Sequence, residues 1–189
     1  MTDSSGVKIS RRGLLGAFGA TLVAAAPTYS NAAGFLRKAG DIRRIKMYSG
    51  RTGEHLDMVY WIDGEYVGEA LQEVNYFMRD WRQNKAAQMD TRAIDIIAAT
   101  RNLLETDNPF LLLSGYRTPQ TNAMLRARSS SVARKSLHME AKAADLRLNG
   151  RSVRQIASAA ASCRAGGVGR YTSSNFVHID CGVVRTWGR

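Results

Sequence analysis

The chain has 189 residues, 44% of them hydrophobic and only 3 of them proline, which fits one globular domain with a buried core and excludes a low-complexity chain. Its formal net charge of +11 suits an anionic partner, whether nucleic acid, a membrane surface or a cell wall. The basic residues are scattered, with short clusters such as Arg43-Arg44 and no aromatic-interleaved motif, so nucleic acid is not the expected partner.

Ser10-Arg11-Arg12-Gly13-Leu14-Leu15 is a twin-arginine sequence. An apolar run from Leu14 to Ala26 follows it, and Ser30-Asn31-Ala32 supplies small residues for cleavage, with Ala33 as an alternative. Basic start, apolar middle and small-residue end predict a twin-arginine signal peptide over residues 1–33 and a periplasmic mature protein. The competing reading is a core helix of a cytosolic protein. The run is short for a membrane span, so none is expected in the mature chain. Removing residues 1–33 leaves 24 basic against 15 acidic residues, a net charge of +9. Twin-arginine signals are read by a receptor that exports folded proteins, often with a cofactor in place. Cys163 and Cys181 could bridge in an oxidising compartment, or stay as two separate buried thiols.

Residues 34–41 read as a linker, and 42–189 as the functional domain. Residues 42–49 predict a strand, with Ile45 and Met47 alternating against charged neighbours. A turn at 50–53 leads to a return strand over 54–61, and Asp63-Gly64 to a third short strand at Tyr66 and Val67, together a small meander. Leu71, Val74, Met78 and Trp81 form one helical stripe. Asp90 can cap a second helix carrying Ile94, Ile97, Ala98 and Leu104. Residues 110–114 predict a buried strand, and Pro119 the first turn of a short helix through Leu125. Residues 127–135 read as an exposed loop. A strand over 143–148 puts Ala143, Asp145 and Arg147 on one face. Ser152 and Gln155 make a capping box for a further helix, and two strands follow at 168–171 and 176–181.

Two stretches carry chemistry. In 176–181, Phe176, His178 and Asp180 share one face, while Val177, Ile179 and Cys181 share the core face. His138 and Asp145 lie an odd number of steps apart, so in one continuous strand they would face opposite ways. They converge only if the chain bends at Glu140-Ala141-Lys142. With that bend, His138, Asp145 and His178 form a three-ligand set for catalytic zinc that leaves a fourth position for water. The reaction class is then metal-assisted hydrolysis of an amide. His55, the third histidine, belongs to no such motif and reads as structural or exposed.

Ser136-x-His138-x6-Asp145, preceded by Ser114-Gly115-Tyr116-Arg117 and followed by Phe176-Val177-His178-Ile179-Asp180, resembles the zinc D-Ala-D-Ala peptidases and murein endopeptidases, in the branch typified by murein endopeptidase K. Gly167-Val168-Gly169-Arg170-Tyr171 and Arg185-Thr186-Trp187 also look like that branch, and the resemblance covers about residues 40–189. It implies an α+β fold in which a small antiparallel sheet, packed with helices, holds one zinc. It implies His138, Asp145 and His178 as the ligands, and Arg117 as the group that holds substrate and stabilises the oxyanion; a surface cation is the alternative for Arg117. Two departures stand out. Ala141 replaces a glycine common in the family. Asn175 and Phe176 occupy the positions where relatives carry a glutamate or a histidine as general base. Asp180 is the nearest carboxylate, either activating water or orienting His178.

The expectation is an exported zinc endopeptidase, a monomer, that cuts the peptide cross-links of peptidoglycan. The alternatives are a D-Ala-D-Ala carboxypeptidase or dipeptidase, and a non-catalytic wall-binding module that keeps zinc for folding.

Overall fold

The computed structural model describes residues 41–188. The twin-arginine sequence, the cleavage site and most of the linker lie outside the described residues. Within them the fold is α+β: four helices and one eight-stranded sheet of order β3-β2-β1-β4-β5-β7-β6-β8.

Strands β1 (Ile42–Tyr48), β2 (His55–Ile62) and β3 (Glu65–Tyr66) are the expected meander. Alternation in β1 sends Ile45 and Met47 inward, and with them Arg43. That buried guanidinium is compensated: it lies over the Trp61 ring at 4.1 Å and pairs with Asp95 at 3.3 Å. Asp95 also accepts from the Tyr60 and Tyr66 hydroxyls at 2.9 and 2.8 Å, so one carboxylate ties the meander to the helix behind it.

Helix α1 (Gly68–Phe77) ends sooner than its apolar stripe predicts. Met78 is its C-cap, and Trp81 stands in the following loop rather than on the helix. Helix α2 (Thr91–Leu103) is capped by Asp90, whose side chain accepts from the Arg92 amide, as expected. Strand β4 (Phe110–Ser114) leads into helix α3 (Pro119–Arg128), capped by Thr118 and one turn longer than expected. Strand β5 (Ala143–Leu148) precedes helix α4 (Val153–Ser162), which has the full capping box of Ser152 and Gln155. Strands β6 (Gly167–Tyr171), β7 (Phe176–Asp180) and β8 (Arg185–Gly188) close the sheet.

The sheet is larger than the small antiparallel one expected, and it is mixed: β1 pairs with β4, and β6 with β8, in parallel. The reason is connectivity. Two helices separate β1 from β4, and β8 returns along the outside of β6, so in both cases the chain re-enters in the same direction. Helices α2 and α4 pack on β7 and on each other. Their contact with the sheet is the core, where Ile94, Ile97, Leu146, Ile156, Val177 and Ile179 are each no more than 1% exposed. Cys181 joins this core, facing away from His178 as predicted; it and Cys163 are separate free thiols, which burial pushes up to about 12 and about 11.

Candidate metal centre

The opposite face of the sheet carries the polar groups. Asp145 on β5 stands directly across from His178 on β7 in antiparallel register, so both side chains leave the sheet together. Asp145 also faces Ser114 across a bulge in β4 between Leu112 and Ser114, which re-aims the end of that strand. His138 arrives from outside the sheet, on a 3-10 turn, Leu137–Glu140. The bend that brings it in sits at Ala141, which takes φ 54° and ψ 33°, a left-handed conformation usually left to glycine. The expected bend is therefore present without its glycine.

The three side chains meet. His138 Nε2 lies 3.2 Å from Asp145 Oδ1 and 3.2 Å from His178 Nδ1, and His178 Nδ1 lies 2.9 Å from Asp145 Oδ1. The outer nitrogens decide the tautomers. His138 Nδ1 is 2.7 Å from the Gly115 carbonyl, which can only accept, so Nδ1 carries the hydrogen and Nε2 turns a lone pair inward. His178 Nε2 donates to Asp180 Oδ2 at 3.0 Å, which leaves Nδ1 as the inward lone pair. Two lone pairs and a carboxylate oxygen thus converge on one point. A single proton could bridge only one of these contacts, whereas a divalent cation satisfies all three. Metal–ligand bonds of about 2.1 Å give tetrahedral edges of about 3.4 Å, close to the separations found, so the donor set fits such an ion. Among the described residues this is the one His/Cys/Asp/Glu cluster of that kind.

Burial and the Asp145 carboxylate act in opposite directions on the two imidazoles. Burial alone would raise the Asp145 carboxyl, but the two imidazoles hold it well below the usual carboxylate range. Burial lowers His138, against the pull of Asp145. Burial also opposes charge on His178, yet bonds to Asp145 and Asp180 raise it.

Around the three lies a supporting set. Arg117 donates through Nη2 to Asp145 Oδ2 and through Nε to Ser114 Oγ at 2.7 Å. Its Nη1 has no partner among the described residues. Its backbone amide donates to the His138 carbonyl at 3.1 Å, which locks the Gly115–Arg117 loop to the histidine turn. Gly115 is required here, since a Cβ would stand 2.3 Å from the Met78 carbonyl. Asp180 is fully buried and takes five donors: His178 Nε2, the Gly167 and Gly182 amides, and both Arg185 amino groups. Burial would raise its carboxyl, but His178, Arg185 and the Gly182 amide hold it far below the usual range. Trp187 fills the space over Gly169 and stands 5.4 Å from the His178 ring. His55 is remote from the cluster's motifs, exposed, and packs on Tyr48 at 4.5 Å.

Ser114, Arg185 and Trp187 act on the site through contacts that their positions in the chain do not announce. Only the resemblance of their short motifs singled them out; nothing in spacing or periodicity did.

A mixed sheet carrying a buried His–Asp–His cluster is an α+β arrangement with donors that could hold a metal ion. The comparisons with known proteins make the class specific. The family described as peptidoglycan L,D-endopeptidase MepK matches residues 37–187, and the chain belongs to that family of peptidases. It is 44% identical over 136 residues to the peptidoglycan L,D-endopeptidase MepK of Escherichia coli (strain K12), covering 72% of this chain and 75% of the relative. The protein of the same name from Shigella flexneri matches at the same identity and coverage. The probable peptidoglycan L,D-endopeptidase MepK of Haemophilus influenzae (strain Rd) is 38% identical over 137 residues, 72% of this chain and 74% of the relative.

Proposed function

We propose that this chain is an exported, zinc-dependent endopeptidase that hydrolyses peptide cross-links of peptidoglycan at a bond between an L- and a D-centre, the direct link between two diaminopimelates. The observation that carries the reading is the convergence of His138 Nε2, Asp145 Oδ1 and His178 Nδ1 with their outer atoms already engaged. Membership in a family of L,D-endopeptidases supplies the substrate.

In this reading His138, Asp145 and His178 hold the zinc. When bound there, zinc supplies a Lewis acid and lowers the pKa of a water towards about 7. The chain's own groups do the rest. The Gly115 carbonyl and Asp180 fix the two imidazole tautomers, so the inward nitrogens are always ligands. Arg117 holds Asp145 through one amino group and keeps Nη1 for the oxygen on which negative charge develops. Asp180 orients His178 rather than serving as the base, because donors fill both its oxygens and its lowered pKa makes it a weak proton acceptor. Residues 1–33 carry the folded protein out by the twin-arginine route.

Wall digestion followed by muropeptide analysis, with and without chelator, tests the reading. Loss of cross-linked dimers that stops on chelation supports it. Loss of terminal D-alanine alone would mark a carboxypeptidase, and binding without new products a non-catalytic module. His138→Ala is expected to lose both zinc and activity, while His55→Ala keeps both.

A further inference from the structure

The loop after α1 has a composition that the metal centre does not explain. Trp81, half-buried, lies beneath two guanidinia: Arg82 at 4.2 Å from the ring and Arg51, from the β1–β2 turn, at 5.6 Å. Neither arginine has an ion pair among the described residues, and the Trp81 Nε1 beneath them has no acceptor. Asp80, next to Trp81 in the chain, and Glu54, in the turn that carries Arg51, are already used, Glu54 by Arg79 at 3.0 Å. Asp80 is 2% exposed, and its oxygens accept from the Arg82 amide at 3.1 Å and from the Thr118 amide and hydroxyl at 2.9 and 2.8 Å. The patch therefore offers donors and positive charge with no acceptor to match. Burial and the charges of Arg117, Arg51 and Arg128 bring the Arg82 guanidinium down from its ordinary value despite Asp80. Holding like charges together this way is unfavourable unless an anion joins them.

The patch is also rooted on the site. The Tyr116 amide donates to the Met78 carbonyl at 2.8 Å, and Asp80 grips Thr118, so the Trp81–Arg82 loop is bonded to both neighbours of Arg117. Arg82 is also near enough to Arg117 for the two charges to act on each other.

We infer that Arg51, Trp81 and Arg82 form a carboxylate-binding rim that seats a free carboxylate of the stem peptide while the cross-link lies at the metal centre. This rests on the peptidoglycan reading above and names the part of the substrate that is recognised. Stem peptides suit it: a γ-linked glutamate and a diaminopimelate both leave carboxylates off the backbone path. Guanidinium fits a planar carboxylate through paired donors, and the indole gives the stem's apolar chain a surface to lie on.

Steady-state cleavage of two cross-linked stem dimers, one with free carboxylates and one amidated, tests the rim. The expected result is that Arg82→Gln and Arg51→Gln each raise KM about five-fold on the free dimer, with kcat within about two-fold, and leave KM on the amidated dimer unchanged. Arg154→Gln, on helix α4 and exposed, removes the same charge and changes neither. Equal KM effects on both dimers, or none on either, would overturn the rim while leaving the endopeptidase reading intact. Should the wild type cut neither dimer, that reading fails, and calorimetric titration with the free and amidated uncross-linked stem peptides decides the rim by itself. Tighter binding of the free peptide, lost in Arg82→Gln, keeps it; equal binding removes it.

Discussion

Asp180 joins two parts of the molecule that are otherwise separate. Its carboxylate receives His178 from β7 and Arg185 from β8, so the edge strand β8 helps to fix the His178 ring. Replacing such an orienting carboxylate in a metal site weakens binding by about 10- to 100-fold. Asp180→Asn is accordingly expected to weaken zinc binding by that order in a competition titration, with the far-ultraviolet spectrum unchanged. Wild-type affinity with activity lost would instead make Asp180 a direct participant in the reaction. At this level the sequence was partly legible. Period-two alternation placed His178 and Asp180 on one face and Cys181 on the other. The tie to Arg185 was not, because it depends on β8 pairing with β6, which no local pattern encodes.

Two short connections set the geometry of the site. The first is the bend at Ala141, where a left-handed alanine costs about 1–2 kcal/mol relative to ordinary backbone. Ala141→Gly relieves that strain but loses a buried methyl worth about 0.8 kcal/mol, so its stability stays within about 1 kcal/mol of wild type with zinc binding intact. Ala141→Val should lose about 2 kcal/mol or more in urea denaturation, since a β-branched residue tolerates this conformation poorly and the site is closed. The second is the Asp80 latch. Burial would raise the Asp80 carboxyl, but the Thr121 hydroxyl nearby and bonds from Thr118 and Arg82 leave it lowered. A carboxylate with a depressed folded pKa stabilises above its unfolded value of about 4, and loses that contribution as pH falls through the folded value. Asp80→Asn should therefore cost about 1–2 kcal/mol at pH 7, and the gap to wild type should narrow below about pH 4. A gap independent of pH would mean that the charge contributes nothing. The helix caps at Asp90 and Ser152 and most strand limits could be read directly, because those signals are local. Three-and-four spacing continues past the true end of α1 and so predicts Trp81 on its stripe, whereas Met78 turns the chain towards Gly115.

The eight-stranded sheet divides the molecule into two faces with different tasks. Helices α2 and α4 cover one and supply the core; the other presents Asp145 and His178, with His138, Arg117 and the Trp81 loop delivered around them. The α+β class was legible from the mixture of periods. The sheet's size and its two parallel pairings were not, since they are long-range events. No helix among the described residues is long and apolar enough to cross a membrane. The proposed activity depends on three distant side chains holding one catalytic ion. The most direct check is to strip the protein with chelator and titrate zinc back while following cleavage of a cross-linked muropeptide dimer. Activity should be absent at the start, rise linearly and stop at one zinc per chain, and His138→Ala should show no rise at all. Full cleavage by the stripped protein, or an end point shared by His138→Ala, would contradict it.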